Sequence, residues 1–421
     1  MKSLFKVGGS ENQVESNLLF CFIAILIGAT SCLLLPYQAI AQKLLWCILA
    51  LAGFFYIVCN RRRVIGAHSG KSSCFSFLNI SFLFLLPYIG ASVASFVFCA
   101  VRGDTLGTVQ QAFTTTCFIV VDVFVSVFLI CHYKARALSL IIISFIISYC
   151  VTIGYAVICN GPEAFIARIL RCDFAFLESH DVGVAVVPPL ILIICCMIEQ
   201  RQILKKDLIS AVLLVFILIL CGKRSAYLSL LSAAFGWILL RVSYSLFHNH
   251  KRWVICFVGV VGVSLCLFYV IAIHHDWLGF LSQGFGTLSD RYNVWKHFDN
   301  IYSLSIDYYG YGFGYVHRYM VSGLGTWMVN AYGYLHNSIL QIYIEVGLLL
   351  FIAWFFFLFI VIPMSVFRRY GPFRACFVMT LIISMVAMWT VDNTLTYPLY
   401  LVSFFVSIGV YLGFSPAVVD G

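Results

Sequence analysis

Charge is what this chain has least of. Asp, Glu, Lys and Arg make up 10% of its 421 residues, while 62% are hydrophobic. A soluble globular chain is nearer half apolar and carries about a quarter charged residues, so that class is excluded. The chain also lacks a long polar linker, an internal repeat and a low-complexity tract. One membrane domain over 1–421 is therefore expected, not a string of modules. No small-residue cleavage site follows the first apolar run, near Asn17, which reads as a retained span and not as a signal peptide. The 17 cysteines have no CxxC or Cys/His spacing of a zinc site. Most lie inside apolar runs, as Cys21, Cys47, Cys195 and Cys266 do, where a thiol behaves as a small hydrophobe. Cys159 and Cys172, flanking one connector, are the candidates for a disulfide.

What is present is a succession of apolar runs, many of about 18 residues or more, the length needed to cross a hydrocarbon core of about 30 Å. An outer-membrane barrel would instead show short alternating strands. The expected fold is an all-α polytopic membrane protein of about 12 transmembrane helices. They fall at about 17–35, 41–59, 76–100, 112–131, 138–158, 182–198, 208–221, 225–243, 253–273, 338–362, 374–391 and 398–414. Alternation puts both termini on one side. The opposite side then holds only Lys43, Arg102, Arg168, Arg171, Lys223, Arg224, Arg291, Lys296 and Arg318 of the 26 basic residues. Cytoplasmic connectors collect Lys and Arg, so both termini are expected in the cytoplasm, and the net charge of +9 implies no nucleic-acid partner. Two outer segments exceed a dozen residues, roughly 159–181 and 274–337. The first carries mixed charge and reads as a solvated loop or a lip over a site.

The second is the polar exception in the chain. It holds DRYNVWKHFDN from Asp290, YYGYGFGYVHRY, and YGYLHNSILQIYIEVG up to Gly347. His336 stands at the outer end of an apolar run, with Asn337, Gln341 and Glu345 following at helical spacing on one face. Such a stripe is costly in a bilayer unless it faces protein or water, and it is expected to mark a polar cavity with His336 at its mouth. A helix N-terminus favours an anion there, and a neutral His can accept a proton from a hydroxyl; the plain alternative is an interfacial His without a role. Arg224 and Lys223 lie at an outer hairpin in CGKRSAYLSLL. Arg224 reads either as a snorkelling anchor or, with Arg291 and Arg318 on the same side, as part of a grip on pyrophosphate. Tyr311, Tyr315 and the other aromatics of 291–334 form either an interfacial belt or a surface for sugars, whose faces suit flat rings with polar edges. Asp122, within the fourth span, is expected to be structural.

The ordered set of KRSAYLSLL, DRYNVWKHF, GYGFGY and LHNSILQIYIEVGLL, over about residues 205–360, resembles the O-antigen polymerase and O-antigen ligase superfamily. The resemblance implies a membrane glycosyltransferase of the bacterial inner membrane that acts at its periplasmic face. It implies an undecaprenyl-pyrophosphate-linked oligosaccharide as donor and no metal or other cofactor. On it, Arg224 and Arg291 match the arginines that bind the pyrophosphate, and His336 matches the histidine that activates the acceptor hydroxyl. The HNSILQIYIEVG and GYGFG segments are closer to the polymerases, which elongate a lipid-linked glycan with a chain-length regulator protein as candidate partner. The alternative is a ligase, which transfers the glycan to lipid A–core. A flippase of the lipid-linked glycan is the remaining alternative, but Pro188 and Pro189 break one span without a counterpart in the other half, as an inverted repeat would supply.

Overall fold

The computed structural model describes residues 12–31, 38–59, 73–102, 106–171, 180–200, 204–283, 287–322 and 334–414. Cys172 and the acidic residues Asp173 and Glu178 of the first outer segment lie outside them, as do Trp327 and Tyr332 of the second. The described residues are helical, with no strand. In chain order they form α1 (Asn12–Thr30), α2 (Gln38–Cys59), α3 (Ser73–Arg102), α4 (Leu106–Tyr133), α5 (Arg136–Asn160) and α6 (Pro162–Leu170). Then come α7 (His180–Ala185), α8 (Val187–Gln200), α9 (Lys205–Cys221), α10 (Arg224–Leu246), α11 (Lys251–His274) and α12 (Thr287–His297). The chain continues with α13 (Tyr315–Val321), α14 (Ser338–Phe356), a π-helical turn Phe357–Val361, α15 (Ile362–Tyr370), α16 (Pro372–Trp389) and α17 (Pro398–Phe414).

Where their residues are described, the expected spans fall largely on helix. Among the described residues nine segments are long and apolar enough to cross a membrane, and Asn17–Thr30 and Pro398–Gly413 are shorter apolar helices. This is compatible with a polytopic membrane protein. Many apolar side chains on these helices point outward, such as Phe235, Phe257 and Leu265, as contact with lipid requires. Pro188 and Pro189 sit in the first turn of α8, where a missing N–H costs nothing. They separate α7 from α8 within one apolar stretch. Cys159 is a free, exposed thiol, and Asp122 is buried in α4.

The helices belong to two compact units, each assembled from separate stretches of sequence. One comprises residues 1–79, 121–230 and 397–421, the other residues 80–120 and 231–396. In the first, Ser126 and Ser403 donate to the carbonyls of Asp122 and Ala185. The second contains α11 to α16 and nearly all of the expected outer loop. The described residues of that loop include α12, a short turn at Phe298–Asn300 and α13.

The second unit is organised by a break in its central helix. At Gly347 the backbone takes φ 74° and ψ 176° inside α14. A break of this kind strips helix partners from the carbonyls just before it. Here the loop supplies them: the Tyr311 amide donates to Ile344 O at 3.0 Å and the Gly312 amide to Glu345 O at 2.8 Å. In return the Leu348 amide donates to Tyr308 O at 3.1 Å, and the Tyr308 hydroxyl reaches Ile344 O at 2.7 Å. Gly310, at φ 77°, faces Gly347 across this clasp. A Cβ on Gly310 would collide with Glu345 O, and one on Gly347 with Tyr308 O. Left-handed φ alone costs a residue with a Cβ about 1–2 kcal/mol, and the collisions add to it. Gly310→Ala and Gly347→Ala should each lower the melting temperature of the detergent-solubilised protein. Gly90→Ala and Gly154→Ala, where a Cβ meets open space, should leave it unchanged or raise it slightly.

Candidate functional site

The start of α14 is built by its own sequence. Asn337 is extended (φ −157°, ψ 90°), and its Oδ1 accepts the Leu340 amide at 3.0 Å, the N-cap role for which Asn is favoured. The cap leaves the Asn337 Nδ2 donor over, and it goes to the Tyr269 hydroxyl of α11 at 3.0 Å. One residue earlier, His336 stands at φ 50°, a conformation uncommon outside glycine. Its side chain is 21% exposed, and its Nδ1 lies 3.6 Å from Oδ1 of Asp392, whose side chain is fully buried.

Asp392 belongs to a short turn, Thr390 to Asn393, that follows α16. Three successive carbonyls of this turn are taken by three different elements. Tyr269 of α11 donates to Thr390 O at 2.7 Å. Arg291 of α12 donates through Nη1 to Val391 O at 2.8 Å. Ser338 of α14 gives both its amide and its hydroxyl to Asp392 O, at 3.3 and 3.1 Å. The Asp392 carboxylate in turn accepts the Asn393 amide at 2.9 Å. The structure thus brings Arg291 and His336, some forty-five residues apart in sequence, onto neighbouring residues of one turn.

Arg291 arrives there because α12 is anchored on both flanks. Trp295, one turn on and on the same face, donates Nε1 to Leu335 O at 2.8 Å, directly before His336. Lys296 donates to the carbonyls of Ile273 and His274 at 3.1 Å each and pairs with Asp299; a cation is favourable at the C-terminal carbonyls of α11. Tyr292 donates to Asp276 at 2.6 Å and Tyr302 to Asp299 at 2.8 Å. Burial first, then these neighbouring carboxylates, raise both phenols above the ordinary tyrosine range, so both act as donors. Arg291 spends one N–H on Val391; its Nε is buried and has no hydrogen-bond partner among the described residues. A buried guanidinium donor without an acceptor is costly.

The polar stripe below His336 meets protein. Asn337, Gln341 and Glu345 are all buried. Gln341 donates to Glu345 Oε1 at 3.2 Å, and the same oxygen accepts the Val316 amide at 3.1 Å. Glu345 Oε2 is buried without a partner among the described residues. Glu345 thereby holds the start of α13, the helix that carries Tyr315 and Arg318. Tyr311 and Tyr315 are half-buried, but they stack on each other at 4.5 Å between centroids. Each therefore spends one ring face on the other. From α13, His317 stacks on Tyr334 at 5.0 Å, and Tyr334 meets the His336 ring edge-on at 6.4 Å.

Lys223 and Arg224 belong to the other unit. Gly222, at φ 60°, ends α9 in a left-handed cap, and α10 starts at Arg224. Arg224 is exposed and Lys223 is buried. Among the described residues no three His, Cys, Asp or Glu side chains are grouped to hold a metal ion.

Asp392 and Tyr269 were not singled out by sequence. Tyr269 lies within an apolar helix. Asp392 occupies a connector of a few residues between two spans; its one signal was an Asp-Asn pair where apolar residues surround it. Asn337→Ala should cost about 1 kcal/mol or more through loss of the cap, whereas Asn337→Asp, which keeps the acceptor, should lose less; thermal melts of the purified protein distinguish the two. Compared with known proteins, the chain matches no protein-family model and no curated relative.

Proposed function

We propose that this chain is a membrane glycosyltransferase that moves a glycan from undecaprenyl pyrophosphate to a sugar hydroxyl at the periplasmic face of the bacterial inner membrane, acting as an O-antigen polymerase. The observation that carries the reading is the turn at 390–393, on which an imidazole backed by a carboxylate stands next to a guanidinium with a spare buried donor. Asp392 faces Nδ1 of His336 at 3.6 Å. A carboxylate on that side favours the proton at Nδ1 and leaves Nε2 as the basic atom. In the proposed reaction Nε2 takes the proton of the acceptor hydroxyl as its oxygen bonds to the anomeric carbon. The bond from that carbon to the pyrophosphate oxygen breaks with inversion, and the pyrophosphate departs on its lipid. Asp392 then stabilises the imidazolium, and the proton passes to solvent.

Arg291 is assigned to the leaving group. Its Nε–H, without a partner among the described residues, belongs to a planar guanidinium that suits a phosphate oxygen in charge and geometry, and fixed donors set against developing negative charge are an effective electrostatic device. The sequence resemblance assigns Arg224 to the same pyrophosphate. Polymerase and ligase differ in the acceptor, and the HNSILQIYIEVG and GYGFG segments favour the polymerase.

A lipopolysaccharide gel tests both. In a strain complemented with His336→Ala, long-chain O-antigen should disappear while lipopolysaccharide capped by a single repeat unit remains. Loss of every repeat unit from lipid A–core, with polymer retained on the undecaprenyl carrier, would identify a ligase. An unaltered ladder would remove His336 from the chemistry. Arg291→Lys should lose most activity despite keeping the charge, because an ammonium is a point charge without the planar fork that binds Val391 O and a phosphate oxygen in fixed directions.

A further inference from the structure

His336 and Asp392 face each other at 3.6 Å, beyond ordinary hydrogen-bond length. Contact at that length leaves the register of the pair to the backbone on each side as well, and other groups fix that backbone. Two bridges do this. On one flank α12 ties Leu335 to Val391 through Trp295 and Arg291. On the other flank a single atom ties Asn337 to Thr390: the hydroxyl of Tyr269, which accepts from Asn337 Nδ2 at 3.0 Å and donates to Thr390 O at 2.7 Å. Asn337 adjoins His336, and Thr390 lies two residues before Asp392.

We infer that Tyr269 is a positioning residue for the His336–Asp392 pair, which sets the separation of imidazole and carboxylate from the third helix of the site. This inference rests on the transferase reading above. A phenol hydroxyl has one proton to donate, and Tyr269 commits it to Thr390 while accepting from Asn337. The hydroxyl is thus engaged on both sides by the protein and acts on the reaction through its neighbours. Ser338 ties α14 to Asp392 O directly, but it sits on the same helix as the cap and adds no link to α11. Groups that orient a catalytic imidazole from behind typically change activity roughly 10–100-fold when removed.

The test uses purified full-length protein in detergent with undecaprenyl-pyrophosphate-linked repeat units as donor and acceptor. Tyr269→Phe keeps the ring and removes both bonds. It should lower kcat roughly 10–100-fold with the donor KM unchanged, and in an Asp392→Asn background it should cost nothing further, because residues acting as one unit are not additive. Asn337→Ser keeps the helix cap, is too short to reach Tyr269, and should reproduce the loss of kcat, which covers the case in which Tyr269→Phe does not fold. Wild-type kcat in either folded variant, a loss confined to KM, or a full additional loss in the Asp392→Asn background would overturn the inference while leaving the transferase reading intact. Absence of transfer by the wild-type protein would overturn the transferase reading and this inference with it.

Discussion

Three backbone carbonyls in a row, at Thr390, Val391 and Asp392, hold the candidate site together. Each accepts a hydrogen bond from a different element: Tyr269 on α11, Arg291 on α12 and Ser338 on α14. Carbonyls just past a helix end have no helical partners, and inside a mostly apolar bundle water is scarce. Their need for donors draws three elements to one point. The same convergence places His336 beside Asp392 and leaves a guanidinium donor of Arg291 without an acceptor among the described residues.

A second unmet need fixes the loop. The break at Gly347 releases the carbonyls of Ile344 and Glu345 within a long apolar segment, where an unpaired carbonyl is expensive. The loop amides of Tyr311 and Gly312 take them, and Glu345 accepts the Val316 amide at the start of α13. A stretch rich in Tyr and Gly, which alone would have little reason to hold one shape, is thereby joined to the helix that begins beside His336. The glycines provide the close approach, and the tyrosines fill the space by packing on one another. Loop and helix start are thereby held together by the same set of hydrogen bonds.

The physical character of the site was legible where chemistry is local. Asn337 before an apolar run signals a cap, and it is one. Helical spacing puts Asn337, Gln341 and Glu345 on one face, and that face is where they find partners. Long-range consequences were not legible. The stripe was expected to line a cavity, yet Gln341 and Glu345 bond to each other and to α13. Tyr311 and Tyr315 read as belt or sugar surface, and that they stack on each other was not visible in their spacing. Asp392 and Tyr269 gave no periodic or motif signal, because their importance comes from partners about 55 and 70 residues away. Arg224, prominent in sequence, is exposed at the start of α10, while its neighbour Lys223 is the buried one.

By itself, then, the sequence determined the class of the protein: hydrophobic runs of spanning length admit only helices with internally satisfied backbones, and their spacing marks where those helices lie. It also marked the stretch from Asp290 to Gly347 as the polar exception, because polar residues are costly in such a chain. Only the tertiary structure decided which of those residues meet. Hydrogen bonds to the backbone of residues 390–392 depend on where chain direction and helix ends coincide in space, and no local pattern encodes that coincidence. It is there that His336 meets Asp392 and that Arg291 binds the neighbouring carbonyl of the turn.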